Sequence, residues 1–518
     1  MEKSTPKLIL ASCLQLILMT ALAQSKLTIN NVYSVTLRNS GTIIAKEEIK
    51  GYYFFYQSDK IDKRTNEYTL QIVDENLNKL KDVKFTDSKN ISLLESSYNG
   101  DKLMFTFYDD DQNMLDYRIY SMDGTKAYNY SKVLDKRSES YFKQSLATNA
   151  SEEAENQNIF DIEKKGFLSI TPLRENKKYT YEINFYASGK KKSWTYDPAE
   201  DGKYTSAQFL GSTDSIAVIE ILSKEKLTSK HIESTMLGLN LETGKKVFEI
   251  RTTDGKQQLY PMNLAAVSGN NNFLLIGPYY QGDADVMQDK SLGLGVWVMN
   301  NQGKLIRSKY ISWTEDMSKF LKVNKKGNLS DLGYVFFHNV LQTQDGRIFA
   351  IGEGYKKNAN ATGIALSVLT QSYSSNLSKL VVTDMLFMEL TDQYELKNAQ
   401  ILEKNNNIFS IMGSDFANPH TLALIAKQYG YFDYSFTQMG TNKESFMSGY
   451  TDYEKTKDYK GLVFHSISYY DGKITNDQIN LKSNSSRMKL MPAKPGSVLL
   501  MEYFKKDKRM ELRMEKIN

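Results

Sequence analysis

Four histidines, His231, His338, His420 and His465, are the imidazoles of this 518-residue chain. No two are close in sequence, and none makes the His-x-x-x-His or His-Glu-x-x-His spacing by which one helix face presents two zinc ligands. His338 and His465 fall inside apolar strand-like runs, where a hydrogen-bonded core imidazole is the expected state. His420 follows Asn418-Pro419 in an expected turn and is the best placed of the four for a binding site. No metal ligand is assigned, since a zinc site here would need ligands converging from distant parts of the fold.

Carboxylates offer two suggestive clusters. Asp109-Asp110-Asp111-Gln112-Asn113 has the alternation that opens a calcium loop, but Met114 stands where the turn glycine belongs and Tyr120 where a bidentate Glu belongs. An acidic hairpin tip is the better reading, and Gly282-Asp283-Ala284-Asp285 is similarly incomplete. Nucleophile and phosphate chemistry lack their motifs: there is no Gly-x-Ser-x-Gly elbow, no Gly-rich loop ending in Lys-Ser/Thr and no Gly-x-Gly-x-x-Gly. No catalytic residue and no cofactor is therefore expected. Glycoside hydrolysis needs only two carboxylates about 5 to 10 Å apart, which 61 acidic residues leave open.

Rings are the remaining chemical resource. Aromatics make up 12% of the chain, led by 34 Tyr. Tyr52 to Tyr56, Tyr279-Tyr280 and Tyr429 to Tyr434 place rings on both faces of expected strands, mostly for packing. Some would line a central funnel, as a stacking platform for sugars or an anchor for a protein. Trp313 is the first choice for an exposed ring, and Trp313, His420, Tyr279 and Tyr280 are the candidate binding residues.

The elements that must hold these groups are strands. The recurring unit is an apolar strand, a turn with Gly, Asn or Asp, and another strand, as around Gly124, Gly244, Gly303 and Gly472. Strand starts recur at about 50 to 75 residues, somewhat above the commonest propeller repeats. A four-stranded unit buries both faces only against neighbours, so the units must close radially. The expected fold is all-β, a single β-propeller of seven or eight blades with short helical insertions, against the alternative of a β-sandwich pair or two smaller β-domains. The hairpin Val498–Phe504 and Met510–Ile517 would be completed by an N-terminal strand near Val32–Leu37. Lys136–Gln157 reads as a loop with a short helix and Thr314–Lys326 as a helix. Asn358–Leu380 reads as an excursion over one face and Lys443–Lys460 as a Tyr-rich loop. Sialidase-type propellers carry a repeated Ser-x-Asp-x-Gly-x-x-Trp box; Thr343 to Phe349 comes near it, but Gly346 is one place early and no second copy follows, so it reads as a hairpin turn.

The N-terminus has the form of a secretory leader. Lys3 and Lys7 precede an apolar stretch from Leu8 to Leu22, and Ala21-Leu22-Ala23 offers a small-x-small cleavage site with Gln24 as the mature start. The expected division is a signal peptide over 1–23 and one propeller-like domain over 24–518. A lipid-anchored alternative through Cys13 would leave an apolar tail on the mature protein. Cys13 is the single cysteine, so removal of the leader removes disulfide and thiolate chemistry. The net charge of +5 is close to balanced, without the clustered basic face of a nucleic-acid binder. No second long apolar run suggests a transmembrane segment in the mature chain. An exported monomer, periplasmic or extracellular, is expected.

The stretch from Tyr260-Pro261 through Gly277-Pro278-Tyr279-Tyr280 to Gly293–Gly303 and Trp313, with Ser291-Leu292-Gly293 and the Asn300–Gly303 hairpin in order, resembles a family of uncharacterised secreted proteins of Bacteroidetes-type bacteria. The resemblance covers at most a third of the chain. It implies an exported β-propeller-like protein with no catalytic residue to carry over. The functional expectation leans to a non-enzymatic propeller that binds a protein or glycan. The alternative is a carbohydrate-active hydrolase or lyase with carboxylates in the central funnel. A raised-pKa carboxylate pair in a deep funnel would favour the enzyme, and an aromatic patch without one the binder.

Overall fold

Runs such as Leu103–Tyr108 and Phe273–Tyr280 are apolar on both pleat faces, so a sheet built from them must be covered on both sides. The computed structural model solves this by stacking eight antiparallel sheets in a ring. It describes residues 25–517 apart from 46, 149–156, 176–177, 190–191, 199–202, 227–228, 230, 267–271, 287–288, 325–328, 360–377 and 411–418. Cys13, Ala23, Gln24 and the rest of the leader lie outside the described residues, as does most of the excursion expected at Asn358–Leu380.

Blade 1 pairs Ser34–Val35 and Gly41–Ala45 on Glu48–Lys60, followed by Thr65–Asp74 and Lys79–Ser88. Blade 2 spans Ile91–Tyr98 to Lys126–Val133, blade 3 Ile159–Ile162 to Trp194–Tyr196, and blade 4 Tyr204–Ser212 to Lys246–Arg251. Blade 5 runs from Gln257–Leu259 and Asn263–Ala266 through Asn272–Gln281 and Gly293–Asn300 to Leu305–Ser312. Blade 6 comprises Tyr334–Gln342, Ile348–Ala359, Ser378–Leu390 and Leu396–Leu402, with Asn407–Phe409 added on the third strand. Blade 7 comprises Tyr434–Met439, Ser445–Lys455, Lys460–Tyr470 and Lys473–Leu481. Blade 8 is Arg487–Pro492, Ser497–Phe504 and Arg509–Lys516, with Lys26–Asn30 as its outer strand. Each gap between blades holds its own apolar cluster, including the gap between blades 8 and 1. At about 1.5–3 kcal/mol for each large side chain buried, these cores are what hold the ring.

The closing strand differs from the expected one. Lys26–Asn30 pairs with Arg509–Arg513, and Asn31 in the left-handed region (φ 61°) then turns the chain inward. Val32, Val35 and Leu37 drop into the core between blades 8 and 1, where the Tyr503 hydroxyl donates to the carbonyls of Val32 (3.2 Å) and Tyr33 (3.0 Å). The four glycines expected in hairpin turns, Gly124, Gly244, Gly303 and Gly472, all have φ between 68° and 82°.

Three further expectations need correction. Among the described residues of the helix expected at Thr314–Lys326, 314–324 hold only a 3-10 turn, Met317–Lys319, because Met317 is pulled into the core while Phe320 stays exposed and no continuous apolar face forms. Ser445–Lys455, read as loop, is the second strand of blade 7, its polar Asp452 absorbed by a buried network. Pro419 and His420, read as part of a turn, instead open an α-helix, Pro419–Tyr429. It is called α2 here, after α1 at Lys136–Thr148, which lies where a short helix was expected.

In a ring of up-and-down sheets the second-to-third strand loops and the blade-to-blade connections share one face. That upper face carries the loop after Gln281, the segment from Trp313 to Gly333 and α2.

Candidate functional site

Alternation separates the two neighbouring tyrosines at the upper end of blade 5. Tyr279 turns toward blade 4 and packs on Tyr310 (ring centroids 4.8 Å apart), inside the core between blades 4 and 5. Tyr280 turns the other way and lines a narrow cleft of about 50 Å³ over blades 5 and 6. Trp313 follows the outer strand of blade 5; its indole N–H donates to the Ser291 hydroxyl at 3.0 Å. It is only 8% exposed, so it is a cleft wall and not the protruding ring expected of it, because it also packs into the core between blades 5 and 6. Tyr334, Phe336, Phe337 and Tyr355 of blade 6 complete the aromatic lining, and the loop after Tyr280 adds Asp289, Lys290 and Ser291.

α2 supplies the last wall. Proline suits a helix's first turn, where its missing N–H is not needed. Leu422, Ala423 and Ala426 then pack on Phe336, Tyr355, Leu380 and Val382. This docking presses His420 edge-on against Tyr260, with ring centroids 4.1 Å apart. His420 is 8% exposed, its Nε2 has no hydrogen-bond partner, and burial lowers its pKa to about 4. It is a neutral imidazole at neutral pH.

Tyr260 is placed by a bulge. The chain leaves the ladder between Leu259 and Asn263, and Tyr260 donates its N–H to the Pro278 carbonyl at 2.9 Å. Its own carbonyl lies 1.9 Å from where a Cβ on Gly277 would be, so only glycine allows this approach. Beside the Tyr260 hydroxyl sits Glu220, fully buried on the second strand of blade 4. The Ser234 hydroxyl donates to Glu220 Oε1 at 2.8 Å, whereas Glu220 Oε2 and the Tyr260 hydroxyl complete no hydrogen bond. Burial pushes the Glu220 carboxyl up to about 8, above any effect of its hydrogen bonds, so it is mostly protonated at pH 7. Burial first and Glu220 second raise the Tyr260 phenol well above its ordinary value.

A second polar cluster joins blades 6 and 7. Glu353 accepts from the backbone N–H of Asp433 at 3.1 Å and pairs with Lys404 Nζ at 3.1 Å and His338 Nε2 at 3.2 Å. Lys404 also reaches Asp433 at 2.6 Å, and Asn407 donates to the same carboxylate at 2.8 Å. Burial alone would raise Glu353, but the His338 hydrogen bond and the Lys404 charge outweigh it and hold the carboxylate low. Asp433 is pushed up to about 7 by burial and by the Glu353 charge, against Lys404. Glu353 and Lys404 are closed to solvent, so this network staples two blades and offers no reacting atom.

Of the four candidate binding residues, Trp313, His420 and Tyr280 converge on one cleft and Tyr279 does not. Sequence reasoning passed over Glu220, Tyr260, Tyr334, Phe336 and Tyr355. A usable signal existed for Glu220 and Glu353, each a lone acid within an apolar strand, in Ile-Ala-Val-Ile-Glu and Ile-Phe-Ala-Ile-Gly-Glu. The Asp109–Asn113 turn is an acidic hairpin tip: Asp109 Oδ1 accepts the N–H groups of Asp111 (2.9 Å) and Gln112 (3.1 Å). Thr343–Phe349 contains the expected hairpin turn, with Gly346 at φ 84°.

The chain is similar in fold to prolyl oligopeptidase B from Galerina marginata (10% identity, 90% of this chain and 56% of that one, TM-score 0.41). It is also similar to a post-proline cleaving enzyme from Rickettsia typhi (9%, 85% and 59%, TM-score 0.33). The β-propeller domain of the Trilobed protease from Pyrococcus furiosus matches at 9% identity over 90% of this chain and 92% of that one, TM-score 0.30. The chain thus spans less than two thirds of the two post-proline enzymes, and likenesses of this size bear on neither substrate nor activity. No curated protein matches it. A family model described as a family of unknown function (DUF6770) matches residues 1–518, and the chain belongs to that family.

Proposed function

We propose that this protein is an exported, non-enzymatic propeller that binds a glycan against the aromatic cleft over blades 5 and 6. The observation that carries the reading is the aromatic wall of the cleft, built by Tyr280, Trp313, Tyr334, Phe336 and Tyr355. The rings of Tyr280, Tyr334 and Tyr355 suit the apolar faces of a sugar.

The alternative is a carbohydrate-active hydrolase or lyase with carboxylates in the central funnel; to act in this cleft instead, such an enzyme would need two carboxylates facing the ligand. Among the described residues the cleft wall offers one, Asp289; the raised carboxyl of Glu220 lies wholly buried and is not part of the lining. Export rests on the leader-like sequence before Gln24 and predicts a mature N-terminus at that residue. No helix among the described residues is long and apolar enough to cross a membrane.

The test is a glycan and polysaccharide screen of the mature protein, scored for both binding and product release. Binding that falls at least about tenfold in Tyr334→Ala and His420→Ala, with unchanged circular dichroism, supports the reading. Released product sinks it, and a protein partner becomes the reading if no glycan binds.

A further inference from the structure

Blade 7 gathers a second set of unlike ligating groups. Its second strand carries Asp452 and Glu454 two residues apart, hence on one face of the sheet. The third strand returns His465 to that face, directly opposite Tyr450. One ligand atom from each of the three lies within 4.8 Å of the others. His465 Nε2 stands 3.6 Å from Glu454 Oε1, too far for a hydrogen bond, and it is closed to solvent without any hydrogen-bond partner. Two donors bound to one tetrahedral first-row ion at about 2.0–2.2 Å are roughly 3.4 Å apart, which is close to that spacing.

Neighbouring groups hold two of the three side chains in place. The His465 ring is fixed by stacking on Tyr450, centroids 4.9 Å apart and 9° from parallel. Asp452 is buried, and its carboxylate is oriented by the Asn405 backbone N–H at 3.1 Å and side-chain amide at 3.2 Å. Such outer hydrogen bonds aim a ligating carboxylate without using all its lone pairs.

We infer that Asp452, Glu454 and His465 form a binding site for one divalent transition-metal ion, with Zn²⁺ the best match. An imidazole with two carboxylates suits zinc, whereas calcium and magnesium take oxygen ligands in larger number. Three protein ligands leave a fourth position for water or a bound group. The site is independent of the aromatic cleft, and neither reading needs the other.

The test uses the full mature chain, stripped with EDTA and dialysed against Zn²⁺, Mn²⁺ or Ca²⁺, with metal content and melting temperature measured. One equivalent of Zn²⁺ is expected, with a raised melting temperature and weaker retention of Ca²⁺. Glu454→Gln and His465→Gln are each expected to weaken Zn²⁺ binding at least about tenfold, with metal-free folding unchanged by circular dichroism. Asn405→Ala, a positioning change, is expected to cost about tenfold. His231→Ala, which removes the exposed imidazole beside Asp285, should leave uptake unchanged. Uptake that survives both ligand substitutions, or no stoichiometric uptake, overturns the assignment.

Discussion

Glu220→Gln should make the protein more stable, by an amount that grows with pH. Glu220 is held protonated in the native state up to about pH 8, whereas the same group ionises near 4.5 in the unfolded chain. Between those values rising pH draws a proton from the unfolded state alone, so stability fully present below pH 4.5 is lost as pH climbs toward 8. At 1.36 kcal/mol per pKa unit the cost is about 1 kcal/mol at pH 5, about 3 at pH 7 and about 4 at pH 8. Glutamine keeps the shape, can accept from Ser234 and has no proton to lose. Its fit adds a constant offset, so the informative quantity is the change in the variant's advantage from pH 5 to pH 8, about 3 kcal/mol. For a chain this long, 1 kcal/mol moves the midpoint by about 1 °C, so scanning fluorimetry at four pH values should show the gap widening by roughly 3 °C. His420, whose depressed pKa costs stability as pH falls from 6.5 toward 4, is common to both proteins and cancels. A gap that stays flat from pH 5 to 8 would mean that Glu220 ionises normally and that its burial has been misjudged.

Lys404→Met should destabilise by about 3–5 kcal/mol, because it leaves Glu353 and Asp433 buried together without a cation. Adding Glu353→Gln should recover part of that loss in thermal or urea unfolding, and a purely additive double variant argues against a coupled network. Ile29→Ala removes an apolar anchor of the closing strand and should cost about 2–5 kcal/mol. Hydrogen exchange in Arg509–Lys516 should then rise, while the exposed neighbour Thr28→Ala should stay within about 0.5 kcal/mol of the parent.

The ring was readable because its signals are local. A glycine turn such as Glu242–Lys245, set between two strand-like runs, specifies a hairpin whatever lies around it. The parts that escaped depend on tertiary choice. Pro419–Tyr429 has a helical apolar face only once Leu422, Ala423 and Ala426 are known to meet blade 6. Thr314–Lys326 has helix-like ends, yet docking of Met317 interrupts it. Ser445–Lys455 looks like a loop because its polar groups find partners in residues distant in sequence, Asp452 in Asn405 and Ser448 in Thr437. The cleft was half legible for the same reason: rings beside turns mark Trp313 and Tyr280, but nothing local distinguishes Tyr280 from Tyr279. Tyr260 and Glu220 meet only because two blades do.

The closing strand sets how the ring answers a pull. Lys26 pairs with Arg513 and Asn30 with Arg509, so the strand's start and the C-terminal end of its partner lie at the same edge of blade 8. Tension between the two ends of the chain therefore falls on the Lys26–Arg513 pair first and passes along the ladder one pair at a time. Strands drawn past each other would share the load across all five pairs; these peel. A molecule held at one end and loaded at the other would open at this seam under low force, with the seven remaining sheets still folded.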